Sequence, residues 1–262
     1  MPALILSDYD KKSKNTVIAV CKGDNAKNQN KLLYLDRDLK RKGDVHVNSP
    51  DGMFFNIAPS TDPDKREIIY ICGPSGSGKS YIAKCYGEMY QKLYPDRKVY
   101  LVSKLEQDDT IDSMEPQAER IDIYELMQTW NINSYNNCLF IMDDYDTFGK
   151  EEGKFLLNVI EDICTMGRKH TEDQGAISML LLTHRLTNYS KTRNIFLECT
   201  GFIIYPMMTN YYSLNYLLKK YLGLDDETVK NLRQMGSRWV YISQGMYPNY
   251  MLSEHEAKLL LN

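Results

Sequence analysis

The chain has 262 residues, 43% hydrophobic and 26% charged, which is ordinary for a soluble globular protein and enough for one large α/β domain or one domain with a modest appendage. A formal net charge of −3 excludes a global attraction to nucleic acid, so any DNA contact has to come from local loops. The six cysteines form no C-x-x-C pair and no metal-ligand spacing with the four histidines, no apolar run is long enough to span a bilayer, and residues 1–10 lack the pattern of a signal peptide. These features read as a soluble, reduced, intracellular chain.

Residues 1–66 are weakly patterned. The stretch 22–30 is polar, and 39–63 carries turn signals at Lys42-Gly43-Asp44 and Ser49-Pro50-Asp51-Gly52, with short apolar strands at 16–20 and 53–57. This reads as an N-terminal β-rich extension covering one edge of a main domain over 67–262. From Glu67 onward strands and helices alternate, which predicts an α/β fold with a parallel sheet flanked by helices. Strands are expected at 68–72, 98–102, 138–142, 176–182 and 201–205. Helices are expected at 79–94, 124–130, 150–167 and around 192–199. The region 206–262 reads as part of the same domain, with helices at 212–222 and 226–235, a strand at 238–243 and a last helix from Ser253. The 20 tyrosines scatter through all of this and read as core rims and surface.

The first core strand runs into Gly73-Pro74-Ser75-Gly76-Ser77-Gly78-Lys79-Ser80, which satisfies G-x-x-x-x-G-K-[ST] between a strand and a helix. Glycines let the backbone turn its N–H groups around a phosphate, Lys79 brings a point charge to the outer phosphates, and the Ser80 hydroxyl suits Mg²⁺. An ordinary glycine-rich turn is the plain alternative. The set expected to hold ATP is Gly73, Pro74, Ser75, Gly76, Ser77, Gly78, Lys79, Ser80 and Tyr81.

The apolar strand from Cys138 to Met142 ends in Asp143-Asp144. In phosphate-loop ATPases the first acid at such a strand end holds Mg²⁺ and the second polarises the attacking water. Alone, the pair marks only a turn after a strand; the phosphate loop upstream gives it meaning. The strand 177–182 ends in Thr183-His184-Arg185, and in a parallel sheet all strand C-termini face one crevice. His184 is therefore the candidate sensor of the γ-phosphate, against the plain reading of a histidine that caps a strand. Arg168, Arg185 and Arg193 lie in or near loops at this end. One of them is expected to complete a neighbouring subunit's site; these residues alone do not choose among the three. Gly167-Arg168-Lys169-His170 reads equally as a basic loop facing DNA.

Together these segments resemble the FtsK–HerA superfamily of P-loop ATPases, with a RecA-like (ASCE) core, and most closely the poxvirus-type genome-packaging ATPases of large DNA viruses. The resemblance rests on the phosphate loop, Leu139-Phe140-Ile141-Met142-Asp143-Asp144, Met166-Gly167-Arg168-Lys169-His170 followed by 177–185, and Thr192-Arg193-Asn194 leading into the strand 201–205. It implies ATP hydrolysis, with Mg²⁺, coupled to translocation of double-stranded DNA through a homo-oligomeric ring (pentamer or hexamer) into a preformed capsid. Carried over, Lys79 and Ser80 bind phosphate and metal, Asp143 holds the metal, Asp144 activates water and His184 senses the γ-phosphate. Arg193 matches the family's arginine for the subunit-bridging role, and parts of 104–120 or 186–192 would face DNA. Capsid-vertex or portal-like proteins are further implied partners, and a virion or host-cell assembly site is the implied location. Two positions depart from the family: His184 stands where a glutamine is usual, and Asp144 where many relatives carry glutamate.

Three other readings compete. A P-loop kinase for a nucleoside or other small acceptor shares the loop but has no need of Asp144. An AAA+-type DNA loader appends a helical lid, which the apolar stretch 238–242 fits poorly. A non-catalytic nucleotide-gated scaffold would tolerate loss of Lys79, Ser80, Asp143 or Asp144, all of which are present.

Overall fold

The structure is a computed structural model that describes residues 2–9, 15–37, 44–167, 175–186 and 189–261. The N-terminal part gives β1 (Ala3–Ser7), β2 (Thr16–Gly23), β3 (Leu32–Asp36), β4 (His46–Asn48) and β5 (Met53–Ile57). Four of these strands pair antiparallel in the order β1-β3-β2-β5, while β4 joins the main sheet. The alternating region gives β6 (Ile68–Cys72), α1 (Lys79–Leu93), β7 (Val99–Ser103), β8 (Glu119–Arg120), α2 (Ile123–Thr129), β9 (Cys138–Asp143), α3 (Lys150–Met166), β10 (Ile177–Thr183), α4 (Tyr189–Glu198) and β11 (Gly201–Ile204). After it come α5 (Tyr211–Asn215), which continues as a π-helical turn, α6 (Asp226–Gln234), β12 (Val240–Ser243), β13 (Asn249–Ser253) and β14 (Glu256–Leu260). Among the described residues no helix is long and apolar enough to cross a membrane.

The main sheet has the order β4-β14-β13-β12-β11-β6-β10-β9-β7-β8. From β11 to β8 all pairings are parallel, and β10 is inserted between the phosphate-loop strand β6 and the acid-bearing strand β9. That insertion fits the RecA-like core that the resemblance implies; the strand order itself is not read from the sequence. It brings the C-terminal ends of β6, β9 and β10 side by side. Residues of β6, β9 and β10 are buried on both faces, so these strands read as continuous apolar runs rather than alternating ones.

The two faces of the sheet have different covers. Tyr70, Phe140 and Met179 point toward Leu156, Val159, Ile160 and Ile163 of α3, each worth about 1.5–3 kcal/mol on burial. Ile69, Ile71 and Leu180 point toward Ile82, Ala83 and Tyr86 of α1. The N-terminal sheet packs into this second core through Leu33, Leu35 and Phe55, beside Tyr250, Leu252 and Leu259 of the C-terminal strands. It therefore lies over a face, and only β4 extends the edge.

The helix expected from Ser253 is absent: β13 and β14 form a hairpin there. The Ser253 hydroxyl accepts from the N–H groups of His255 and Glu256, the bonds of a helix N-cap, but here it closes a turn. Ala257 and Leu259 then alternate inward with period two, and pairing with β13 and β4 on either side holds the strand.

Candidate active site

The phosphate loop links β6 to α1. Gly76 and Gly78 adopt φ of 71° and 106°, which side-chain-bearing residues resist. Gly73 is needed for space: a Cβ there would stand 2.4 Å from the Tyr205 ring and 2.7 Å from Ser77 Oγ. No side chain caps α1, so its first N–H groups remain for an anion. Lys79 is buried, and its Nζ donates to Gly73 O at 3.0 Å.

The acid pair follows β9. Asp143 is 3% exposed and accepts from Ser103 Oγ at 2.8 Å. Burial pushes its carboxyl up to about 6; the Ser103 bond opposes this, the Asp144 and Asp108 charges add to it, and Lys79 opposes it. Asp144 has a left-handed backbone (φ 46°, ψ 40°) that turns it back over the loop. His184, just past β10, lies 2.8 Å through Nε2 from Asp144 Oδ2 and 3.4 Å through Nδ1 from Lys79 Nζ. Facing an ammonium, Nδ1 has to accept, so the ring proton sits on Nε2 and is donated to Asp144. Asp144 Oδ1 is buried without a hydrogen-bond partner, 3.7 Å from Lys79 Nζ.

Residues 75–81 line one cavity of about 340 Å³ together with Asp108, Asp143, Asp144 and His184. Lys79, Ser80, Asp143, Asp144 and His184 thus converge as expected, and Gly73 and Pro74 lie just behind as the carbonyls that hold Lys79. The arginines do not join them. Among the described residues no arginine lines this cavity. Arg185 is exposed, its Nε 4.0 Å from Asp146, and Arg193 is exposed on α4. Arg168 lies outside the described residues.

Two residues escaped the sequence reading. Asp108, in the acidic loop after β7, accepts from Ser80 Oγ at 3.3 Å and brings a third carboxylate to the site. Its place in a run of acids directly after a core strand was the available signal. Arg238 donates from Nη2 to Gly76 O at 3.0 Å, and it comes from an antiparallel extension that no motif marks.

Mg²⁺ suits this donor set. Among the described residues no group of three or more His, Cys, Asp or Glu could hold a metal alone. Ser80 and Asp143 offer hard oxygens, and Mg²⁺ commonly binds through one or two carboxylates plus substrate phosphates.

No protein-family model matches the sequence. It is 33% identical over 236 residues to the uncharacterized protein V3 of Sputnik virophage, a match covering 88% of this chain and 90% of that protein. The chain belongs to the family of virophage protein V3. The fold of this V3 relative is shared with B204, the DNA-packaging ATPase of Sulfolobus turreted icosahedral virus, at TM-score 0.50 and 14% identity over 73% of this chain and 98% of that one. The cytoplasmic domain of the type VII secretion ATPase EccC from Thermomonospora curvata aligns at TM-score 0.46 and 13% identity, over 94% of this chain and 29% of that one. The fold is that of a P-loop ATPase.

Proposed function

We propose that this chain is an ATP-hydrolysing motor that moves double-stranded DNA, packaging a viral genome into a preformed capsid as a ring of identical subunits. The observation that carries the reading is the convergence of Lys79, Ser80, Asp143, Asp144 and His184 on one cavity at the ends of adjacent parallel strands. Kinship with a virophage protein, and a fold shared with a protein described as a DNA-packaging ATPase, support the viral setting.

The chain's own groups divide the work. The uncapped start of α1 and the loop N–H groups bind the phosphates of ATP, and Lys79 exchanges its loop carbonyls for phosphate oxygens. Asp144 Oδ1, without a hydrogen-bond partner, takes the proton of the attacking water, while Oδ2 stays held by His184. Mg²⁺ held by Ser80 and Asp143 would neutralise charge on the β- and γ-phosphates. Arg193, exposed and away from its own subunit's cavity, suits a neighbour's site.

The DNA-facing loops fall unequally on this frame. Glu106, Asp108, Asp109, Asp112 and Glu115 make the centre of 104–120 repel a phosphate backbone, and Asp108 is engaged with Ser80. The stretch 186–192 falls partly outside the described residues.

The test is ATP hydrolysis by the purified protein with and without long double-stranded DNA. DNA should raise turnover, Lys79→Ala should abolish it, and Asp144→Asn should lower it about 10²–10⁴-fold while ATP still binds. Turnover that ignores DNA but appears with a nucleoside acceptor would leave a kinase in place of the motor.

A further inference from the structure

Beside the phosphate-loop cavity lies a second cavity of about 290 Å³, and Tyr81 forms part of the wall of both. Its other walls come from segments far apart in sequence: Phe54 and Asn56 of β5, Cys85 of α1, Trp239 just before β12, and Glu254 in the turn after β13. Asp144 and His184 line the phosphate-loop cavity and not this one. They mark the end where the γ-phosphate is attacked, so the nucleoside end of a bound triphosphate has to leave the loop away from them. Tyr81, in the first turn of α1, lines both cavities and so joins the phosphate loop to the second one.

The lining chemistry suits a base. Phe54, Tyr81 and Trp239 line the second cavity, and aromatic rings are the side chains on which any nucleobase stacks. Asn56 supplies one donor group and one acceptor, and Glu254 supplies acceptors that match an exocyclic amine. The volume lies near the lower bound of small-molecule pockets, ~300 Å³, right for one ring system and too small for a protein element. Arg238 stands at the seam between the two cavities. Its backbone N–H donates to Glu254 Oε2 at 3.2 Å, while its Nη2 reaches Gly76 O.

We propose that this second cavity takes the purine base of the nucleoside triphosphate, so that β5 and the C-terminal hairpin, both outside the alternating core, are parts of the nucleotide site. The proposal rests on the phosphate loop being a nucleotide site. It gives the N-terminal sheet a role: a nucleotide in place would bridge that sheet, α1 and the hairpin.

Cys85 is a built-in reporter, because it is partly exposed in this cavity while the other five cysteines are buried. Burial raises its thiol above the ordinary value, so labelling is run at alkaline pH. Iodoacetamide labelling of Cys85 is followed by peptide mass spectrometry with the Mg²⁺ complexes of ATP, GTP or inorganic tripolyphosphate. Saturating ATP should slow labelling about tenfold or more, GTP should also protect, and tripolyphosphate, which fills the loop alone, should leave the rate within about twofold. Equal protection by ATP and tripolyphosphate, or none by ATP although it binds, overturns the proposal.

A second measurement uses Asn56→Trp, which fills the cavity from a half-buried position. The ratio of ATP to tripolyphosphate affinity should fall from about tenfold or more to near one; an unchanged ratio places the base elsewhere. If the unmodified protein binds neither compound in calorimetry, the nucleotide reading itself has failed, and that outcome is separate from a misplaced base.

Discussion

Asp143 is a carboxylate held against its chemistry. Its folded-state value of about 6, against 3.8 for the free group, arises first from burial, and it means that the folded protein without metal binds a proton more tightly than the unfolded chain does. The associated stability is fully present below the unfolded value and lost as pH rises toward and through the folded one, a difference of about 3 kcal/mol once Asp143 is ionised. Asp143→Asn removes the charge and keeps the shape. With chelator present, the variant should be more stable than the unmodified protein by about 2–3 kcal/mol at pH 8, and the gap should close near pH 3.5. Urea unfolding of both proteins at the two pH values measures this, and a gap independent of pH would mean that burial of charge is not its origin. At this scale the sequence was most informative. Lys79 and Ser80 stand in the phosphate-loop motif and Asp143, Asp144 and His184 at or just past strand ends, so the motif and the parallel run of the strands together led to the expectation that they share one crevice. Asp108 was marked only by its place in a run of acids after β7, and Arg238 reaches the site from an antiparallel extension whose pairing no local pattern encodes.

Between elements, Arg66 fastens the sheet to its outer helices. Its Nη1 donates to the Ile163 and Cys164 carbonyls in the last turns of α3, at 2.7 and 2.6 Å, and its Nη2 pairs with Glu198 at the end of α4 at 2.8 Å. The side chain is 6% exposed, so these bonds are formed away from water, and a cation at a helix C-terminus also meets the dipole favourably. Arg66→Met keeps much of the volume but removes the guanidinium bonds to the Cys164 carbonyl and to Glu198, while the Ile163 carbonyl keeps the Gly167 N–H. We expect a loss of about 3 kcal/mol in urea unfolding, and a loss under about 1 kcal/mol would show that water replaces the guanidinium freely. The parallel strands were legible because burial on both faces makes them continuous apolar runs between turn signals. The C-terminal hairpin was not, because Ser253 with Glu256 three residues on is also the signature of a helix start. Only the neighbouring strands β13 and β4 decide between the two.

Over the whole molecule, a single subunit has its phosphate loop, acid pair and His184 in place, but among the described residues no arginine lines the cavity. Phosphoryl transfer to water generally gains from cations on the γ-phosphate in the transition state; Lys79 and, at the loop's rim, Arg238 are this subunit's own, and a neighbouring subunit is the source proposed for a further one. Arg193 is exposed on α4. In a ring, such a residue would serve the next subunit, and two inactive variants should then repair each other. Arg193→Ala keeps a complete site but gives nothing to its neighbour; Asp144→Asn has a dead site but still offers its arginine. When the two are mixed in equal amounts, about one interface in four pairs an intact site with an intact arginine, and about a quarter of the unmodified turnover should return without cooperativity. More than that would mean that sites assist one another. No recovery, with rings shown by light scattering to exchange subunits, would remove Arg193 from the bridging role. Arg185 would then be tried next in the same experiment, since it too is exposed at the strand ends and only loosely paired with Asp146.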